Sequence, residues 1–341
     1  MPTISRKHTA RQWSGAWLLA LFLGVIGLIF SGSAYADENV LKKASLFPLW
    51  SPQAQFAGYY VALDKGLYAR HGLEMTIISG GPERSPVESL QKGEADFAVL
   101  WLVDALQQRA GGGKLINVAQ LVQRSSTMLV ARKSSGIRTP ADLAGRKVGV
   151  WEGVLGIPAR IFLNNYHLQV KEIPQSYTVN LFLRGGVEVV SAMWYNEYHT
   201  LMLSGLDSDE LNVFALHDYG VDLPEDGLYT LAETLRQDPE LVAAFVRASL
   251  EGWDYAFTHP DEAIDIVLKY MREAKVPANR IHQRWMLARM EELIKHKNSP
   301  RSFGRLAQSD YEAVGEVLRK HGLLPVVPPY QVFVGETDAV E

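Results

Sequence analysis

Beyond residue 40 the chain alternates short apolar runs of β type with stretches of helical periodicity. Ala44 to Leu49, Glu74 to Ile78, Ala95 to Leu100, Val118 to Val122 and Met128 to Arg132 read as strands. Between the first of these, Phe56 to Arg70 has an amphipathic helical pattern closing near Gly72, and Pro86 to Lys92 a shorter one. A second series follows, with strands at Lys147–Trp151, Glu188–Met193 and Asn212–Leu216 and helices at Ile157–Tyr166 and Tyr195–Ser204. Thr139-Pro140-Ala141-Asp142 opens a short helix, since threonine caps, proline suits the first turn and aspartate complements the helix dipole. Strand–helix alternation of this kind predicts α/β architecture, with parallel sheets flanked by helices on both faces.

From Asp238 onward the pattern is almost wholly helical. Asp238-Pro239 starts a helix running to about Phe257, His259-Pro260 starts another, and Asn279 to His296 reads as a third. Ser309-Asp310-Tyr311-Glu312 has the form of a capping box for a fourth, ending at Gly322. Two α/β units followed by a helical return describe two lobes joined by crossing segments, placed near Met128–Lys133 and Glu225–Leu231. The expected division is residues 37–130 plus 229–341 for one lobe and 131–228 for the other. A ligand site is expected in the cleft between them, at the carboxyl ends of parallel strands.

The N-terminus changes the picture of where this happens. Arg6, Lys7, His8 and Arg11 precede an apolar run from Trp17 to Phe30, and Ala34-Tyr35-Ala36 follows. These are the three parts of a secretory signal peptide, with cleavage expected after Ala36. The run is shorter than the roughly 20 residues of a spanning helix. The sequence contains no cysteine, which excludes disulfides, thiolate catalysis and cysteine-held metals, and leaves no residue for a lipid anchor. Export without an anchor fits a periplasm. A net charge of -4 with no basic cluster beyond the leader argues against nucleic acid as a partner. About 300 residues after the leader exceed what one core usually holds, in keeping with two lobes.

Several stretches together resemble a known family: SPQAQFAGYY (51–60) running into VALDKGLYARHGLEMTI, then GGP (80–82), GEADFAV (93–99), TPADLAGRKVGVW (139–151), MWYNEY (193–198) and PEDGLY (224–229). They resemble the bacterial binding proteins that collect thiamine pyrimidine precursors for ABC transporters, in a wider group with nitrate, alkanesulfonate and riboflavin binders. The resemblance implies a periplasmic binding protein of type II, a hinged two-lobed fold that closes on its ligand and docks on a membrane permease with its ATPase. A eukaryotic relative makes the thiamine pyrimidine itself, using a cysteine-rich segment and a sacrificial histidine. This chain has no cysteine, and QFAGYY carries no histidine, so that activity is not expected here.

A flat aminopyrimidine needs aromatic walls and a carboxylate or amide at its edge, where a charge-assisted bond forms with the exocyclic amine. The candidate walls are Trp50, Phe56, Tyr59, Tyr60, Trp101, Trp151, Trp194 and Tyr195. Trp50, Trp101 and Trp151 stand at or just beyond expected strand ends. Tyr59 and Tyr60 are adjacent on one helix and point different ways, so one at most faces the cleft, and Tyr59 is the choice. Glu197 is the edge-binding carboxylate suggested by the resemblance, with Asn196 as its neutral partner. Glu152 is second choice, Asp226 faces the cleft or stabilises the hinge, and Gln53 and Gln55 suit a polar uncharged ligand. Gly80-Gly81-Pro82 reads as a turn.

The nine histidines form neither an H-x-H nor an H-E-x-x-H pair, so no metal site and no cofactor are expected. No phosphate loop and no G-x-S-x-G nucleophile motif occurs, and no catalysis is assigned. Riboflavin, a small anion such as sulfonate, nitrate or carboxylate, and a ligand-sensing role for a signalling partner remain alternatives. A monomer is expected.

Overall fold

The structure is a computed structural model that describes residues 1–3, 40–295 and 303–335, so the expected leader lies, beyond its first three residues, outside the described residues. Among the described residues ten strands form two five-stranded sheets. The first holds β1 (Lys42–Phe47), β2 (Leu73–Ile77), β3 (Phe97–Trp101), β4 (Leu115–Gln120) and β10 (Asp226–Leu231), in the order β2-β1-β3-β10-β4. The second holds β5 (Thr127–Arg132), β6 (Lys147–Trp151), β7 (Lys171–Gln175), β8 (Val189–Met193) and β9 (Leu211–Ala215), in the order β7-β6-β8-β5-β9.

The two orders are one topology used twice. In the first sheet β1 pairs parallel with β2 and β3, and β10 runs antiparallel between β3 and β4. In the second, β6 pairs parallel with β7 and β8, and β5 runs antiparallel between β8 and β9. Each time the chain crosses, its first strand on the new side becomes that sheet's antiparallel member. The fold is thus the expected two-lobed α/β type, with parallel-rich sheets. The crossings lie at residues 121–126 and 216–225, because Thr127 already belongs to the second sheet and Asp226 already to the first. They were expected near Met128–Lys133 and Glu225–Leu231; both stretches are instead largely strand.

The crossings are bonded to each other. Leu121 and Val122 donate backbone N–H bonds to the Asp226 carbonyl at 3.1 and 2.9 Å, and Glu225 N–H donates to the Val122 carbonyl at 3.1 Å. The buried Gln120 amide donates to the carbonyls of Val122 and Glu225 at 3.0 and 3.1 Å. Glu225 is 2% exposed and its carboxylate accepts from Ser126 N–H and Ser126 Oγ, both at 2.7 Å, and from Thr127 Oγ1 at 3.3 Å. Backbone pairing and a buried carboxylate therefore tie the end of one crossing to the start of the other.

The helical return packs mainly on the first sheet's side. Asp238 caps the helix Pro239–Thr258, accepting from Leu241 N–H at 3.0 Å. This helix lies against Ala57–Asp64 at backbone distance: a Cβ on Gly252 would stand 2.1 Å from the Gly58 carbonyl oxygen, and one on Gly58 would enter the Trp253 ring. Trp253, Tyr59 and Phe245 fill the core around this contact.

Local readings failed where the pattern lacks its usual punctuation. The expected helix Phe56–Arg70 is broken at Gly66, which takes φ +67, into Ala57–Asp64 and Leu67–Arg70. The helix Leu102–Ala110 follows β3 with no breaker between them. Strand β7 was not expected because KEIPQ is polar and contains Pro174, a residue tolerated at a sheet edge. The last long helix is Gln308–Lys320, capped by no side chain, so Ser309 lies inside its first turn and the expected capping box does not form the cap.

Candidate functional site

Four of the parallel strands end at one cleft. Trp50 follows β1, Trp101 ends β3, Trp151 ends β6, and Met193 at the end of β8 is followed by Tyr195, Asn196 and Glu197. Two strand ends from each sheet therefore contribute to one aromatic-walled cleft at the carboxyl edges of both sheets. Gln53 and Gln55 line it from a short 3₁₀ turn (Ala54–Phe56), and Leu49, Leu155 and Tyr177 complete the wall. Trp50 and Tyr177 meet edge to face across it, with ring centroids 4.6 Å apart. Trp50 is held by a close passage: a Cβ on Gly80 would lie 2.2 Å from the Pro48 carbonyl oxygen and 2.5 Å from that of Trp50. The turn expected at Gly80–Pro82 thus sets the loop that presents Trp50.

The polar groups form two chains, one from each side. Gln53 donates to Gln55 Oε1 at 2.6 Å, and Gln55 donates to Asp226 Oδ2 at 2.8 Å. Asp226 is 3% exposed, and its other oxygen, Oδ1, is buried with no hydrogen-bond partner. The indole nitrogens of Trp101 and Trp151 are likewise buried and unbonded. On the other side Glu197 Oε2 accepts from Met193 N–H at 2.9 Å, and Asn196 donates to Glu197 Oε1 at 2.8 Å. Burial pushes the Glu197 and Asp226 carboxyls each up to about 7; the Met193 amide opposes it at Glu197, and the Gln55 amide and nearby Trp101 indole at Asp226. Desolvation also drives the Tyr195 phenol well above its usual range.

Of the expected site residues, Trp50, Gln53, Gln55, Trp101, Trp151, Tyr195, Asn196 and Glu197 line the cleft, and Asp226 stands behind Gln55. The structure takes five other candidates elsewhere. Phe56 and Tyr59 are core residues, Tyr59 edge-on to Trp253 at 5.6 Å, because the helical return covers that face. Tyr60 is buried against Tyr270 instead. Trp194 turns away from its neighbours to line a separate groove with Tyr198 and His217. Glu152 lines an adjoining chamber with Arg84 and Asp104 that shares the Trp50–Trp101 wall. Tyr177 and Met193 were missed, Tyr177 because it lies just past the unexpected β7 and Met193 because an apolar strand end signals only core. Among the described residues no group of three or more His, Asp or Glu is placed to hold a metal. No helix among them is long and apolar enough to cross a membrane.

The family model described as NMT1/THI5 like matches residues 53–263, a span holding Gln53, Trp101, Trp151, Glu197 and Asp226. The chain belongs to the NMT1/THI5 like family. Among curated members of similar sequence, the formylaminopyrimidine-binding protein of Halalkalibacterium halodurans is 26% identical over 321 residues, covering 91% of this chain and 96% of that protein. A protein of Legionella pneumophila named 4-amino-5-hydroxymethyl-2-methylpyrimidine phosphate synthase is 22% identical over 254 residues, covering 71% of this chain and 78% of its own. The fold is similar to the periplasmic aliphatic sulphonate binding protein SsuA of Escherichia coli, with a TM-score of 0.68 at 13% identity over 88% of this chain and 94% of that one. The relatives of similar sequence are thus named for binding in one case and for synthesis in the other, and the fold is similar to that of a periplasmic binding protein.

Proposed function

We propose that this chain is the exported, periplasmic solute-binding component of an ABC importer, that it takes an aminopyrimidine of the thiamine-precursor type into the cleft, and that it passes the ligand to a membrane permease. The observation that carries the reading is an aromatic-walled cleft lined by the buried Glu197 carboxyl, by Gln55 and by the Trp151 indole N–H, a buried donor with no hydrogen-bond partner. A buried polar atom left unpaired costs about 1–3 kcal/mol, which a ligand with alternating donors and acceptors on a flat ring would recover. Glu197 then faces the exocyclic amine, the Trp151 indole N–H donates to the ring edge, and Trp50 and Tyr195 wall its faces. The lobes part and close about the paired crossings at residues 121–126 and 216–225. Binding rather than catalysis is the favoured reading, because the chain lacks cysteine and the cleft presents no paired nucleophile and base. The expected monomer hands its cargo over as a single lobe pair.

The test is a melting-temperature panel on refolded, ligand-stripped protein with hydroxymethyl- and formylamino-aminopyrimidines, thiamine, riboflavin, taurine, nitrate and short carboxylates. At 100 times its dissociation constant a ligand adds about 2.7 kcal/mol, a rise of several degrees. Aminopyrimidines alone are expected to produce it, and Glu197→Gln to abolish most of it. A response confined to riboflavin or an anion discards the pyrimidine and keeps the binding protein.

A further inference from the structure

We propose that His199 and His282 form a clasp between the two sides of the cleft, positioning Asn196 and Glu197 for the ligand and making closure sensitive to acid. His199 lies on the helix Glu197–Leu203, which follows β8 of the second sheet. His282 lies in the first turn of the helix Arg280–Ile294. That helix is fastened to the first side, where Gln283 Oε1 accepts from Ala54 N–H at 2.7 Å and Met286 Sδ from Gln55 N–H at 3.2 Å. Its other face meets the second side: the two histidine Nδ1 atoms are 2.9 Å apart, and Trp285 donates to the Trp194 carbonyl at 3.0 Å.

The bonds fix the protons. Asn196 donates its amide N–H to Glu197, so its Oδ1 accepts from His282 Nε2 at 2.9 Å. A neutral His282 with hydrogen on Nε2 has a bare Nδ1, which accepts from His199 Nδ1–H. The relay His199–His282–Asn196–Glu197 thus ends on a carboxylate that lines the ligand cleft. It tolerates one added proton, on His199 Nε2. A second, on His282, would set two N–H groups face to face and break the bond.

The surroundings resist that second proton. His282 sits at the positive end of its helix, and burial, then the His199 charge, lower it to about 4. His199 lies flat on Trp285, with centroids 4.7 Å apart, and burial lowers it also. Arg289 covers the Trp285 and Trp194 rings and pairs with Glu292, while Arg280 and Arg284 pair with Asp265 and Asp261 of the preceding helix. The Ala54–Phe56 turn brings no titratable group, and from the Pro239–Thr258 helix Asp254 pairs with Lys295. Glu197 is the one carboxyl on the relay.

The consequence has a definite sign. A histidine lowered in the closed form opposes closure once the pH falls below its open-state value of about 6.5, until the closed-form value is reached. The ligand-independent test is NMR of the mature chain with labelled histidines, free and with 4-amino-5-hydroxymethyl-2-methylpyrimidine. At pH 7.5 a coupling through the N–H···N bond is expected between His199 and His282 Nδ1, absent in His282→Gln and in His199→Gln. Its absence in both states of folded wild type overturns the clasp. The affinity test compares wild type with His282→Gln on that pyrimidine, as a ratio in which the ligand's own titration cancels. The ratio is expected to fall about tenfold from pH 7.5 to 5.5; a constant ratio refutes the acid sensitivity of closure, and a ratio of one at pH 7.5 refutes the positioning role. Failure of the pyrimidine to bind would remove the proposed ligand and leave the coupling to decide the clasp.

Discussion

Gly252→Ala is expected to lower the melting temperature by roughly 6–12 °C. The new methyl would stand 2.1 Å from the Gly58 carbonyl oxygen and 2.7 Å from the Ala62 Cβ, so backbone rather than a flexible side chain must move. Overpacking of this kind costs about 1–3 kcal/mol, and the rigid contact places it at the upper end. Each kcal/mol corresponds to roughly 2–4 °C in a protein of this size. Gly58→Ala strikes the Trp253 ring instead, and Trp253→Phe in the same chain should recover part of that loss, where it recovers none for Gly252→Ala. Calorimetry decides it, and a shift below 2 °C for Gly252→Ala would mean that the two helices separate at little cost.

The second large effect is a loss of stability with rising pH that Glu225→Gln removes. Burial pushes Glu225 up to about 8, against the opposing Ser126 hydroxyl and N–H. A carboxyl raised in the folded state contributes stability that is complete below its unfolded value of about 4.3 and is lost as pH rises through the folded one. Between pH 5 and 9 the loss is on the order of 4 kcal/mol at about 1.4 kcal/mol per pKa unit, equivalent to roughly 10 °C. Asp226 and Glu197, each raised to about 7, act in the same direction. The wild-type melting temperature should therefore fall across this range, and the difference from Glu225→Gln should grow with pH. A difference independent of pH would show that Glu225 titrates normally.

The fold was legible in the sequence because its strands are apolar and its helices punctuated. Lys147–Trp151 was read to the residue, and Pro239 and Pro260 marked helix starts. Trp50, Trp101 and Trp151 led to the cleft because parallel strands deliver their last residues to one edge, a property of topology that spacing reveals. Phe56 and Tyr59 misled because the helix Ala57–Asp64 is buried nearly all round, so its periodicity names no preferred face. The glutamine chain to Asp226 joins residues 171 apart in sequence, and the His199–His282 contact joins residues 83 apart. No local pattern encodes such meetings. The first arises where the chain re-enters the first sheet as β10, the second from the helical return.

The paired crossings also divide the cleft by distance from its axis. Asp226 begins β10 directly beside the crossings, its carbonyl bonded to Leu121 and Val122, whereas Glu197 starts the helix that follows β8 of the other sheet. A rotation about the crossings leaves Asp226 almost still and carries Glu197 through the longest arc. In the proposed cycle the ligand therefore meets Gln55, braced by Asp226, while the mouth is open, and Glu197 only when it shuts. Recognition at the fulcrum governs how fast cargo is caught; recognition at the moving rim governs how long it is held. Under the proposed function, capture and retention fall to different residues of one site.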